Sequence, residues 1–176
     1  FIAGGLLVGH AIAKAGLFWL SGLVKGRLLI NWADLRRNPL LVFAFATFVT
    51  MLVGLPPFPG FYAKWELVHA FTGAGKTGLV ALILFGALLE AGSLFRWFGY
   101  MMKRTPNASP AALPLRGVLV VMAAALAGWV TAYIWGELSA YDNLLGHIAL
   151  LFALGFLLVD WLPAKLKNTI AIAGML

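Results

Sequence analysis

The sequence predicts an all-α polytopic membrane protein with about five transmembrane helices plus a partial one, one of them discontinuous. Three observations carry the prediction. The chain is 62% hydrophobic and 11% charged, whereas a soluble domain has roughly 45–50% apolar and about 25% charged residues. Apolar runs near the ~20 residues needed to cross ~30 Å of hydrocarbon recur along it. In "GLPPFPGFYAKWELVHA", residues 54–70, three prolines in four positions break one such run, and a lysine, a glutamate and a histidine follow the break.

The elements follow in order. A first span covers about residues 2–24. The polar stretch "VKGRLLINWADLRRN" reads as a loop, and Pro39, suited to a helix start, opens the apolar run 39–55. After the break, "YAKWELVHAF" continues to about residue 72. That second piece is too short to span alone at ~1.5 Å rise per residue, so 39–72 reads as one broken crossing. Further spans are expected at about 78–101, 115–136 and 144–162. The chain opens with Phe inside an apolar segment and closes on "NTIAIAGML". A piece of a longer protein is therefore expected.

Loop charge supports one crossing for 39–72. Lys25, Arg27, Arg36, Arg37, Lys103, Arg104, Arg116, Lys165 and Lys167 then share one side. Lys76, Glu137 and Asp142 fall on the other. This is a positive-inside pattern, expected for a multi-pass protein of the inner (cytoplasmic) membrane. It also accounts for the net charge of +7 without nucleic acid as a partner. The environment is lipid.

With no cysteine, the chain offers no disulfide, cysteine-ligated iron–sulfur cluster or thioether haem. Its three histidines are scattered without metal-ligand spacing, so neither a cofactor nor a redox site is expected. "TGAGKT", residues 72–77, lacks the first glycine of a phosphate-binding loop, because position 70 is Ala.

A broken helix in lipid would leave backbone groups unpaired, and such breaks persist where they are buried in protein or line a wet cavity. The ionisable residues lie at matching depths. His10 and Lys14 are mid-span and four apart, on one helix face. Lys64 is nine residues before Gly73, roughly 13 Å below that helix end. Glu90 is central in "ILFGALLEAGSLFRWF". Glu66 and His69 are weaker candidates beside Lys64. A charge at the bilayer centre costs about 2.5–3.5 kcal/mol or more, so a set of three or four points to proton transfer. Burial disfavours the ammonium form of a lysine, and a lysine there can give up and regain a proton. Histidine changes charge near neutrality and can pass protons to or from such a lysine. Glu90 follows the broken helix in the chain, and consecutive elements are usually neighbours. It is expected close to Lys64 or joined to it through water. A bland role, a neutral acid in a helix–helix hydrogen bond, stays open for Glu90, and a structural role is favoured for His147. Asp160, Arg96, Lys103 and Arg104 sit near span ends, where snorkelling explains them.

These residues also carry a resemblance. "GHAIAKAGLFWLSG" resembles the His-x-x-x-Lys-Ala-x-Leu-Phe stretch of the antiporter-like proton-channel subunits found in respiratory complex I, multisubunit sodium/proton antiporters and membrane-bound hydrogenases. "GLPPFPGFYAKWEL" resembles that family's discontinuous helix, Gly-x-Pro-Pro-x-x-Gly-Phe-x-x-Lys. The likeness covers about residues 1–104. It implies a C-terminal half-channel there; the additional C-terminal transmembrane helices expected over 105–176 rest on hydropathy. The likeness implies that Lys14, with His10, belongs to a midplane proton relay and that Lys64 is the terminal carrier. The implied partners are other membrane subunits and iron–sulfur, hydrogenase or dehydrogenase subunits. It gives Glu90 no role, so that expectation rests on this sequence alone. The family's first half, with its own glutamate–lysine pair, is not in this chain. Three readings stay open: proton, or sodium, translocation in a redox-driven complex; a stand-alone sodium/proton antiporter; and a non-pumping membrane anchor of an oxidoreductase.

Overall fold

The computed structural model describes residues 2–26, 28–103 and 113–138. Among these, every regular element is helical: α1 (Ile2–Ser21), a 3-10 helix (Leu29–Arg37), α2 (Pro39–Val53), α3 (Pro59–Gly73), α4 (Thr77–Met101) and α5 (Leu115–Leu138). α1, α4 and α5 are each long and apolar enough to cross a membrane, and α2 is a shorter apolar helix. The chain is a multi-pass membrane protein. The span expected at 144–162, with His147 and Asp160, lies outside the described residues, as does the tail.

α1 is the axis of the bundle. Its buried positions are Gly5, Gly9, Ala13, Gly16, Leu17 and Leu20. Their spacing of three and four puts them on one face, and small side chains there let backbones approach. A Cβ on Gly5 would lie 3.0 Å from the Pro59 carbonyl oxygen and 3.1 Å from Ala63 Cβ. One on Gly9 would lie 3.7 Å from Gly60 N, and one on Gly16 would overlap the Phe48 ring. Moving along α1 from residue 5 to 16, the partner runs backwards from Ala63 through Gly60 to Phe48. α2 and α3 are therefore two halves of one path alongside α1, stacked end to end, and not the two arms of a hairpin. The discontinuous helix expected over 39–72 is the one observed.

Local chemistry sets the break. Asn38 caps α2, its Oδ1 accepting from Leu40 N at 3.1 Å. At the other end Gly54 adopts φ 73°, ψ 49°, a left-handed conformation that glycine reaches without a Cβ clash. Gly54 N donates to Thr50 O and Met51 O, and Leu55 N donates to Thr50 O. Pro59 then restarts the helix at a position where a missing N–H costs nothing. The Pro56–Pro57 peptide is cis.

α5 packs its own stripe of Val121, Ala125, Gly128, Ala132 and Gly136 inward. Gly128 faces Met51, and Gly117 faces Leu23. Trp135 meets Gly4 and Gly5. α5 is thus antiparallel to α1. Of α4 only Met101 is fully buried; Leu82, Phe85, Leu88 and Leu89 point outward, as suits a helix at the edge of the bundle in lipid.

The stretch read as a polar loop needs correction. Residues 29–37 form a 3-10 helix that buries Trp32, Ala33 and Leu35. Trp32 packs edge-on against Trp97 at 4.6 Å and tilted against Phe45 at 5.3 Å between ring centroids. Charged residues mask this apolar side in the sequence, and one of its partners, Trp97, lies on a helix far along the chain. These contacts, with Leu23 against Gly117, gather Lys25, Arg36, Arg37, Lys103 and Arg116 at one end of the bundle. Lys76 and Glu137 stand at the other. We expect cysteines at positions 30 and 76, the sole thiols in a cysteine-free chain, to label from opposite membrane faces. Labelling of both from one face would contradict the single broken crossing.

Candidate functional site

The prolines at the break set up the site. In an α-helix the carbonyl of residue i accepts from the N–H of residue i+4. For Leu52 and Val53 those donors would be residues 56 and 57, and both are proline, which has no N–H. The break therefore releases two successive carbonyls in mid-span. Lys64, one turn into α3, takes one of them: its Nζ donates to Val53 O at 3.0 Å. The same ammonium donates to Glu90 Oε2 on α4 at 3.2 Å. The other carboxylate oxygen, Oε1, faces His10 Nε2 on α1 at 4.0 Å. That last separation is an electrostatic contact and not a hydrogen bond, and a water or a small rotation would close it.

Three helices thus bring His10, Glu90 and Lys64 together, with Glu90 between the other two. Lys64 was expected to be buried. Its side chain is instead 22% exposed, that of Glu90 33% and that of His10 39%. α4 covers Phe45 with Trp97 and Phe98 and leaves the Lys64 side chain partly open. Lys14 is exposed one turn further along α1, about 6 Å from His10 by helical rise. Glu66 is half-buried; two residues past Lys64, it points to the opposite side of α3. His69 is exposed and sits edge-on to Trp65 at 5.0 Å.

Sequence reasoning missed two participants. One is the Val53 carbonyl, which the proline positions pointed to through the i+4 rule. The other is Gly54. A Cβ there would lie 3.1 Å from Lys64 Cδ, 3.2 Å from Nζ and 3.3 Å from Cε. The bare glycine lets the lysine lie across the helix end. Gly54→Ala is expected to cost roughly 1–2 kcal/mol from the left-handed backbone. It also pushes the ammonium off Val53 O, and ion transport should fall further than the drop in assembled protein explains. Matching losses in transport and assembly would show that Gly54 serves the fold alone.

Comparison with known proteins bears on what such a site belongs to. The sequence profile described as NADH:quinone oxidoreductase/Mrp antiporter, TM, matches residues 3–90, half of the chain and all three cluster residues. The chain belongs to this family. It is 35% identical over 95 residues to NADH-quinone oxidoreductase subunit N of Desulforudis audaxviator, covering 51% of this chain and 19% of that one. It is 31% identical over 117 residues to subunit N 1 of Sorangium cellulosum, covering 62% and 23%. It is 36% identical over 125 residues to subunit L of Mycobacterium tuberculosis, covering 61% and 19%. The chain spans about a fifth of the length of these relatives. No solved structure gives a significant match.

Proposed function

We propose that this chain carries the C-terminal half-channel, residues 1–104, of an antiporter-like membrane subunit, and that the His10–Glu90–Lys64 cluster passes protons through it. Beyond it, α5 adds one further helix, Leu115–Leu138. The observation behind this reading is the placement of Glu90 between a lysine at a helix break and a histidine on a third helix. A lone structural ion pair would need neither the freed Val53 carbonyl nor the histidine. In a transfer step an N–H bond of Lys64 breaks and an O–H bond forms on Glu90 Oε2, leaving a neutral amine and a neutral acid. Rotation of the neutral carboxyl group about its last bond turns the protonated oxygen toward His10; the O–H bond then breaks as an N–H bond forms on Nε2, and His10 becomes imidazolium while Glu90 regains its charge. Lys14, one turn along α1, is the next station.

The relatives are named as subunits of NADH-quinone oxidoreductases, which supports a redox-driven complex as the setting. Its other membrane subunits are then neighbours of this chain, iron–sulfur subunits lie further off, and the cytoplasmic membrane is the location. The half-open cluster gives such neighbours a face to cover.

Lys14 provides the test. In the intact complex, reconstituted in proteoliposomes and driven by its electron donor, Lys14→Ala should assemble yet impair proton translocation by about ten- to a hundredfold. That is the worth of roughly 1.5–3 kcal/mol, one interaction with a charged group. Full translocation with alanine at both Lys14 and Lys64 would leave the membrane-anchor reading. Translocation in the purified complex without any electron donor would favour the stand-alone antiporter.

A further inference from the structure

We propose that the Lys64 ammonium fills a cation position built by the end of α2 and Glu90, and that this tethered charge makes the pathway carry protons and reject sodium. The inference rests on the reading of the cluster as a translocation site and goes beyond it to the identity of the ion.

The position has the chemistry of an alkali-cation site. Val53 O and Glu90 Oε2 converge on one point, 3.0 and 3.2 Å from the lysine nitrogen. Carbonyl and carboxylate oxygens are the ligands that hard cations take. The freed carbonyl stands at the C-terminal end of α2, where the helix dipole adds partial negative charge. Interrupted helices in membrane transporters offer such carbonyl ends to sodium or protons. Pro56 and Pro57 release the Leu52 carbonyl alongside that of Val53, so the helix end has more than one oxygen to offer.

In this chain the cation is built in. Gly54 has no side chain, so the lysine stem can lie against the helix end and deliver its ammonium to these oxygens. Sodium could enter only by displacing the ammonium from both oxygens or by standing beside it, charge against charge. A proton needs neither. It moves along the existing 3.2 Å hydrogen bond from Nζ to Oε2, and both groups stay where they are. Removing the ammonium should therefore open the position. Lys64→Ala leaves the Val53 carbonyl and the Glu90 carboxylate facing an empty space with uncompensated negative charge.

The experiment compares the intact purified complex as wild type, Lys64→Ala and Lys64→Ala/Glu90→Gln. Retained radioactive sodium is measured on the purified complex, and proton translocation in proteoliposomes. Wild-type translocation should be unchanged when choline replaces sodium at constant ionic strength, with no sodium uptake. Lys64→Ala should retain sodium above the wild-type level, and adding Glu90→Gln should remove the gain. Sodium uptake by wild type, or a translocation rate that follows sodium, would overturn the inference. So would Lys64→Ala that loses proton translocation and retains no extra sodium, while the relay reading stands. If Lys64→Ala keeps wild-type proton translocation, the relay reading fails and the selectivity inference falls with it.

Discussion

Lys64→Ala should reduce proton translocation to below roughly a hundredth of the wild-type rate, the scale on which a positioned proton-transfer group acts, while the subunit still assembles. Lys64 makes two hydrogen bonds, to Val53 O and Glu90 Oε2, and it is the group of the cluster that bridges the broken helix to α4. Alanine offers neither a proton nor a donor. Assembly survives because the packing of the break does not depend on the lysine: Phe45, Phe48, Phe58 and Pro59 are buried independently of it. Proton translocation in proteoliposomes, normalised to the amount of subunit that co-purifies with its partners, measures the effect. A rate within a few-fold of wild type would remove Lys64 from the relay.

Glu90→Gln should slow translocation by about ten- to a hundredfold, from the loss of a charge-assisted interaction worth about 1.5–3 kcal/mol. Glutamine keeps the shape and can still accept from Lys64, so the bundle holds. It cannot take the proton, and it no longer balances the lysine charge. Aspartate at the same position keeps the acid but draws it back by one methylene from both His10 and Lys64. It should restore part of the rate that glutamine loses. A role for Glu90 in helix packing alone predicts the reverse, with glutamine close to wild type and aspartate the worse of the two.

The break was legible in the sequence because proline chemistry is local: Pro56, Pro57 and Pro59 dictate where hydrogen bonding must stop and restart, whatever surrounds them. The meeting of Glu90 with Lys64 followed from chain order, since α4 returns directly alongside α3. His10 was legible in depth, though its facing Glu90 was not, because rotation of α1 about its axis is fixed by the glycine stripe packing on Pro59, Ala63 and Phe48. The same rotation leaves Lys14 exposed. Trp32 was hidden for another reason. A short 3-10 helix has no sustained period to read, and the apolar side of this one is made by contact with Trp97 on a helix far along the chain. The Val53 carbonyl is a backbone atom and appears in no motif, yet the missing donors at 56 and 57 mark it.

The most direct test of the relay is a mutant cycle between His10 and Glu90, read as proton translocation by the reconstituted complex. Glu90 meets His10 with one carboxylate oxygen and Lys64 with the other, so in the proposed relay the two substitutions should not be independent. His10→Ala should slow translocation in the wild-type background and have no further effect when position 90 is glutamine. If His10→Ala slows both backgrounds by the same factor, His10 and Glu90 act separately, and the relay through Glu90 is wrong.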